Sequence, residues 1–465
     1  MRQLNRYQEN RCPLPGARQP KQQTWRTVPD SVRLNHFREK QMVKRIPAAA
    51  RVSVPPSRAG PSRRMCLGGV VVMLCIAAKA QGQDVKVQSP QLIAAVPSHA
   101  DSVKAAEKPP TAAAPATAAA AALPKWFDEI AVNAFASTAY IYNGNRPSTG
   151  TSSYRVFDYN DNSFNLDVAE LVVQIAPTKP NDAGFRVDFA AGNSIPQVTK
   201  SQDQSVAQFD LQQLFVSYIA PIGSGLRFDM GKYVTHMGYE LIEGYDGYND
   251  NYSRSVLFGY AIPFTHTGLK ASYSFSSKVA AMVEVVNGWD LVRDNNHSKS
   301  VGAQLSVIPI APLTVLFNWI GGPELANNNH SNRNVFDLVA TLKPTKSLTL
   351  GVNGDYGKEN GTSLVNPGAD ATWKGVAGYA TLALTDKFSV ALRGETFHDD
   401  GGVRLGTGTR ARLSEGTLTP AFKFTDRVLL RGEVRYDKSN EPILAKRTTL
   451  ASKQTTVGAN VIFVY

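Results

Sequence analysis

The residues best placed to do chemistry in this chain are charged, and they fall into two sets. The first occupies residues 234 to 263, where Glu240, Glu243, Asp246, Asp250 and Arg254 lie on one segment. The second recurs at alternate positions: Arg186 with Asp188, Arg227 with Asp229, Arg393 with Glu395, and Arg431 with Glu433 and Arg435, joined by Lys270 and Glu284. Side chains two residues apart share one face of a β-strand, so this set reads as a charged wall. Carboxylates on a segment facing guanidinium groups on a wall would create a transverse field, which orients polar solutes and passes ions with modest selectivity. That is a chemistry of passage rather than of bond making.

Bond-making constellations are not legible. His236, His266, His297, His330 and His398 are scattered without a His-Glu-x-x-His spacing, which argues against a zinc hydrolase. His266 stands beside Thr265 on the polar side of its run and reads as a wall histidine, and no serine and histidine line up on an apolar face as a lipase would need. The stretch DYNDNSFNLD places Asp158, Asn160 and Asn162 at calcium-loop spacing. Ser163 replaces the turn glycine, however, and Ala169 stands where the bidentate glutamate belongs, so a solvated loop is the better reading. No metal, cofactor or enzymatic activity is called for.

The elements that must position these charges are strands. GFRVDFAAG sets Phe185, Val187 and Phe189 against Arg186 and Asp188, and GLRFDMG sets Leu226, Phe228 and Met230 against Arg227 and Asp229. Marking every such run from Ala131 predicts about sixteen strands, each close to the roughly 9–11 residues that a tilted strand needs to cross a bilayer. Short turns (SSK at Ser276, PTKS at Pro344, TDK at Thr385, TDR at Thr425) alternate with long polar loops. A sandwich or propeller has no reason to keep that alternation. The prediction is all-β: a transmembrane antiparallel barrel with short periplasmic turns, long external loops and both termini in the periplasm.

The last strand, TTVGANVIFVY, supports this. Val457, Ala459, Val461, Phe463 and Tyr465 would leave an apolar edge in water, which lipid and closure against the region near Ala131 to Asn143 would cover. Phe463 and Tyr465 are read as an assembly signal at the periplasmic interface. Trp289, Trp319, Phe264, Phe388 and Tyr436 are expected in the aromatic belts.

The front of the chain is different. Residues 1–64 hold 15 Lys or Arg against 3 Asp or Glu, which accounts for the whole net charge of +12, so the basic balance says nothing of nucleic acid for the rest. This segment has no periodicity and reads as an extension or an over-long start. Residues 65–80 show a basic flank, an apolar run from Leu67 to Ala78 and an Ala78-Lys79-Ala80 end, the layout of a signal peptide. Residues 81–125 are an Ala- and Pro-rich spacer, and 126–465 the barrel. All three cysteines lie in the front segment, so the barrel has no disulfide.

The segment LRFDMGKYVTHMGYELIEGYDGYNDNYSRSVLFGYAIPFTHTGLKASYSF, followed by VNGWD, resembles the OmpL-like β-barrel porins of Gram-negative outer membranes. The features that carry the likeness are Gly231-Lys232, Gly238 with Glu240, Asn251 to Ser253 and Ser255, Phe258, Thr265-His266 with Gly268, and Asn287 to Asp290. The resemblance implies a channel for small hydrophilic solutes, with outer-membrane lipid and the barrel assembly machinery as partners and a homo-oligomer left open. A structural or adhesion barrel is the alternative, and it would close its lumen with packed side chains. The apolar Leu241, Ile242 and Tyr245 would be exposed on an outward loop, so residues 234 to 263 are expected to fold into the barrel and narrow it.

Overall fold

The computed structural model describes residues 129–201 and 208–465; the extension, signal and spacer expected at 1–125 lie outside them. Sixteen strands form one closed antiparallel barrel. The first half comprises β1 (Ala131–Asn143), β2 (Ser163–Ile175), β3 (Ala183–Ala191), β4 (Phe209–Ala220), β5 (Leu226–Val234), β6 (Thr265–Ser276), β7 (Val279–Val286) and β8 (Ser300–Ile310). The second comprises β9 (Leu313–Pro323), β10 (Asn332–Leu342), β11 (Leu348–Glu359), β12 (Ala371–Ala383), β13 (Phe388–Asp399), β14 (Ala411–Lys423), β15 (Val428–Ser439) and β18 (Lys453–Val464). A hairpin of β16 (Leu444–Lys446) and β17 (Thr449–Ala451) decorates the last loop, and two short helices, α1 (Ile195–Ser201) and α2 (Val256–Ala261), also lie in loops.

Each strand pairs with its sequence neighbour, and β1 closes on β18 with Phe135 opposite Val464 and Asn143 opposite Thr456. Closure satisfies the backbone of the first and last strands and leaves no edge. Short turns gather at one end with the start of β1 and the end of β18, and the long loops at the other. Burial alternates along the strands. In β18 the even positions Gln454, Thr456, Asn460 and Ile462 are buried, whereas Val457, Val461 and Phe463, and Tyr465 just after it, are exposed. The same holds around the ring, where Phe164, Val216, Met230, Leu269, Val283, Phe317 and Phe336 are large apolar side chains left outside. A water-soluble protein would not carry such a band, so the outer face belongs to lipid.

Two of the expected belt aromatics are corrected. Phe264 and Trp289 are buried in the internal core, because they stand at the roots of loops that turn inward. Tyr436 stays on the outside.

Candidate functional site

The segment 235–264 leaves β5, runs inside the barrel and rejoins the wall at β6. Its only regular element is the single turn of α2, so most of its backbone N–H groups need partners from elsewhere. Carboxylates on the inward face of the wall supply them. Glu170 of β2 accepts from Tyr245 N at 2.5 Å, and Asp337 of β10 accepts from Gly238 N at 3.0 Å. Glu433 of β15 accepts from Tyr252 N at 2.7 Å and Ser253 N at 3.1 Å. Glu395 of β13 takes Val256 N at 2.6 Å and Leu257 N at 2.9 Å, an anion at the start of α2, where Ser255 Oγ accepts from Phe258 N.

The guanidinium groups complete the contact. Arg393 Nη1 lies 2.7 Å from Glu240 Oε1 and its Nε 2.6 Å from Glu415. Arg431 Nη1 lies 2.8 Å from Glu243 Oε1, and Arg435 Nε 2.8 Å from Asp437. Arg435 Nη1 also donates to the Arg254 carbonyl. Arg254 itself braces the loop from within: it donates to the Tyr252 and Leu241 carbonyls, lies 3.5 Å from Glu243 and stacks over the Phe157 ring at 4.8 Å. Asp250 accepts from Thr381 Oγ1 at 2.6 Å, and burial lifts its carboxyl above the ordinary range. The expectation of carboxylates and arginines facing each other across open water is therefore corrected for this side of the barrel. The side chains of Arg393, Arg431 and Arg435 have no exposure, and Glu395 and Glu433 hold the loop rather than line a pore.

On the opposite wall several charges stay partly exposed, although Asp188 and Asp229 are buried. Arg186 pairs with Asp188 and Asp246, Arg227 with Asp229, and Lys270 lies 3.6 Å from Asp229. The side-chain exposures are 13% for Arg186, 30% for Asp246, 37% for Arg227 and 21% for Lys270. The loop thus covers the charges of β13 to β15, whereas Arg186, Arg227 and Lys270 on β3, β5 and β6 remain partly exposed. Asp158, at the calcium-like spacing, is engaged by Arg155 at 2.5 Å, which also reaches Asp437.

An apolar core seats the loop. Val256, Leu257, Phe258 and Ile262 are buried with Trp373, Phe397 and Leu413 of the wall, and Trp373 Nε1 donates to the Ala261 carbonyl at 3.0 Å. Gly375 of β12 makes the approach possible, since a Cβ there would come within 2.5 Å of Leu257. At about 1.5–3 kcal/mol per large apolar side chain, burial of the four loop residues contributes on the order of 10 kcal/mol. Buried ion pairs come nearer to break-even with their desolvation. The apolar face therefore holds the loop, and the ion pairs fix its register. Leu257→Ala should cost about 2–5 kcal/mol and make the loop cleavable by trypsin at Arg254 in an otherwise intact barrel. Equal resistance to cleavage would show that the helix is not what seats it.

The family described as "Putative beta-barrel porin-2, OmpL-like" matches residues 129–465. The chain belongs to that family. It is accordingly an outer-membrane barrel of the porin type. No curated protein matches it in sequence. Among solved structures it is similar to the outer membrane channel DcaP of Acinetobacter baumannii, with a TM-score of 0.51, 9% identity, and 72% of this chain and 97% of that one covered. It is also similar to the anion-selective porin from Comamonas acidovorans, with a TM-score of 0.49, 11% identity, and 72% and 99% covered. At such identities the likeness is one of fold.

Proposed function

We propose that this OmpL-like barrel is a passive channel for small hydrophilic solutes and ions, with both termini in the periplasm and a passage confined to the strip along β3, β5 and β6. The observation that carries this reading is the difference in exposure between the two walls: Arg227 and Lys270 keep water, whereas Arg393, Arg431 and Arg435 keep none. A strip bearing Arg186, Arg227 and Lys270 with Asp246, backed by the buried Asp188 and Asp229, carries mixed charge, which suits polar solutes and modest ion selectivity. A purely structural barrel is the second reading, and the packed core around α2 favours it.

Planar-bilayer recording separates the two. The channel reading expects small, stepwise conductance, and neutralising the strip with Arg227→Gln and Lys270→Gln should shift the reversal potential in a salt gradient toward cations. A silent wild-type protein would favour the structural reading, and an unchanged reversal potential would move the passage away from this strip.

A further inference from the structure

The root of the inward loop and the first strands after it bring together three side chains that sequence spacing keeps apart. His236 follows β5, His266 lies near the start of β6, and Glu284 is on the inward face of β7. One donor atom from each lies within 4.8 Å of the others. His236 Nδ1 is 3.3 Å from Glu284 Oε1, and His266 Nε2 is 3.8 Å from the same oxygen. Four ligands held tetrahedrally at about 2.0–2.1 Å from a Zn2+ ion stand roughly 3.4 Å apart, so the first of these separations already matches a shared cation. The other two are longer, by up to roughly 1.4 Å, and close when the cation binds.

Hydrogen bonding accounts for only part of the cluster: His266 Nε2 shares a hydrogen bond with Thr235 Oγ1 at 3.2 Å, which a cation would replace. Beyond their own contact at 3.3 Å, both nitrogens of His236 and both oxygens of Glu284 lack a hydrogen-bond partner, although the side chains of His266 and Glu284 are fully buried and that of His236 is 6% exposed. Tyr233 Oη and Gln304 Oε1 lack partners too, and both residues lie beside the trio: Tyr233 is opposite His266 in the β5–β6 register, and Gln304 Nε2 donates to the His236 carbonyl. Leaving that many buried polar atoms unmatched in one place is costly, by about 1–3 kcal/mol for each group. Lys270 faces Glu284 across β6 and β7, but its ammonium lies over the Tyr233 ring at 4.3 Å and 3.6 Å from Asp229, so it is engaged elsewhere. Space for the carboxylate comes from Gly302, directly opposite on β8, where a Cβ would come within 2.5 Å of Glu284 Oε1.

We infer that His236, His266 and Glu284 form a binding site for a divalent cation of the Zn2+ type. Two imidazoles and a carboxylate are the donor set of borderline transition ions rather than of Mg2+ or Ca2+, which take oxygen shells. The bound cation ties the first residues of the inward loop to two strands of the wall. It therefore reinforces the seat of the loop from the side opposite to α2.

The test uses the full chain, folded in detergent micelles, stripped with a chelator and titrated with ZnCl2 by calorimetry, with Co2+ as a spectroscopic probe. The expected result is one Zn2+ per chain, a Co2+ absorption of low-symmetry coordination, and an affinity at least about tenfold lower in His236→Ala and in Glu284→Gln. Both variants are first checked for heat-modifiable migration, and His236 lies on a loop, so its loss spares the strand ladder. A variant lacking the loop histidines, His297→Asn with His330→Asn, should bind as the wild type does. No stoichiometric uptake by the wild type, full affinity in both single variants, or loss of binding in the loop-histidine variant would each overturn the site.

Discussion

Replacing Glu240 and Glu243 together by glutamine is expected to raise the single-channel conductance of the reconstituted barrel several-fold. Glu243 is the only carboxylate within ion-pair distance of Arg431 among the described residues, and it also accepts from Asn249 N. Neutralising it leaves a fully buried guanidinium without its ion-pair partner, which costs about 3–5 kcal/mol. Arg393 keeps Glu415 when Glu240 is lost, so the second substitution adds less. The apolar seat is worth more than either, but ordering each loop residue costs about 1–2 kcal/mol, so the net margin that holds the loop is small. A loss of 3–5 kcal/mol is more than a hundredfold in population, enough to displace the loop while the strand ladder keeps the barrel intact. Glu243→Gln alone should produce most of the effect. Unchanged conductance in both variants would show that the loop is not what limits flow.

Acid should act in the same direction. Burial alone would lift the Glu243 carboxyl, yet Arg254 and Arg431 outweigh it and hold the group below its ordinary range. A carboxyl depressed in the folded state stabilises above its ordinary value, about 4.3 for Glu, and loses that contribution as pH falls through the lower folded value. The loop should therefore stay seated near neutrality and loosen only in strong acid. Asp250 opposes this to some degree, because burial raises it and its contribution grows as pH falls.

The barrel was legible in the sequence because alternation is a local signal. Arg186 and Asp188 between Phe185, Val187 and Phe189 announce a face, and the face announces lipid on the other side. What Glu395 and Glu433 do was not legible, because alternation says that they point inward but not what meets them there. The answer depends on backbone N–H groups at Tyr252 to Leu257, far away in sequence, that lack acceptors of their own. The apolar groups in YELIEGY gave one signal for the inward loop; the stronger one, VLFGYA beside Trp373, needs the wall to be in place first. Phe264 and Trp289 were misplaced for the same reason, since strand ends near an inward loop have a core on one side and water on neither. His236, His266 and Glu284 carry no motif spacing and meet only through the β5–β6–β7 register.

Phe463→Asp is expected to remove the protein almost entirely from the outer membrane, and deletion of Tyr465 to reduce it strongly. The seam between β1 and β18 depends on this end of the chain: Ala134 N donates to the Tyr465 carbonyl at 3.0 Å, and Tyr465 N donates to the Ala134 carbonyl at 2.8 Å. Phe463 sits opposite Ala136 on one side and Val428 on the other, with 40% of its surface on the outer face. The Tyr465 ring is covered by the Arg427 guanidinium at 4.9 Å, an arrangement suited to the membrane interface. An aspartate at 463 places a charge against lipid beside the last hydrogen bonds of the closure, while a truncated chain loses those bonds outright. Because β18 must also pair with β15, a weak last strand leaves two edges open rather than one, and an unclosed barrel exposes its whole ladder to degradation or aggregation. Phe463→Leu keeps the outer face apolar and should assemble normally, and Tyr465→Phe keeps the backbone pair and should too. The measurement is the heat-modifiable band in purified outer membranes, compared with total protein. Wild-type amounts of the Phe463→Asp barrel, with altered conductance instead, would mean that the terminal strand serves the channel and not its assembly.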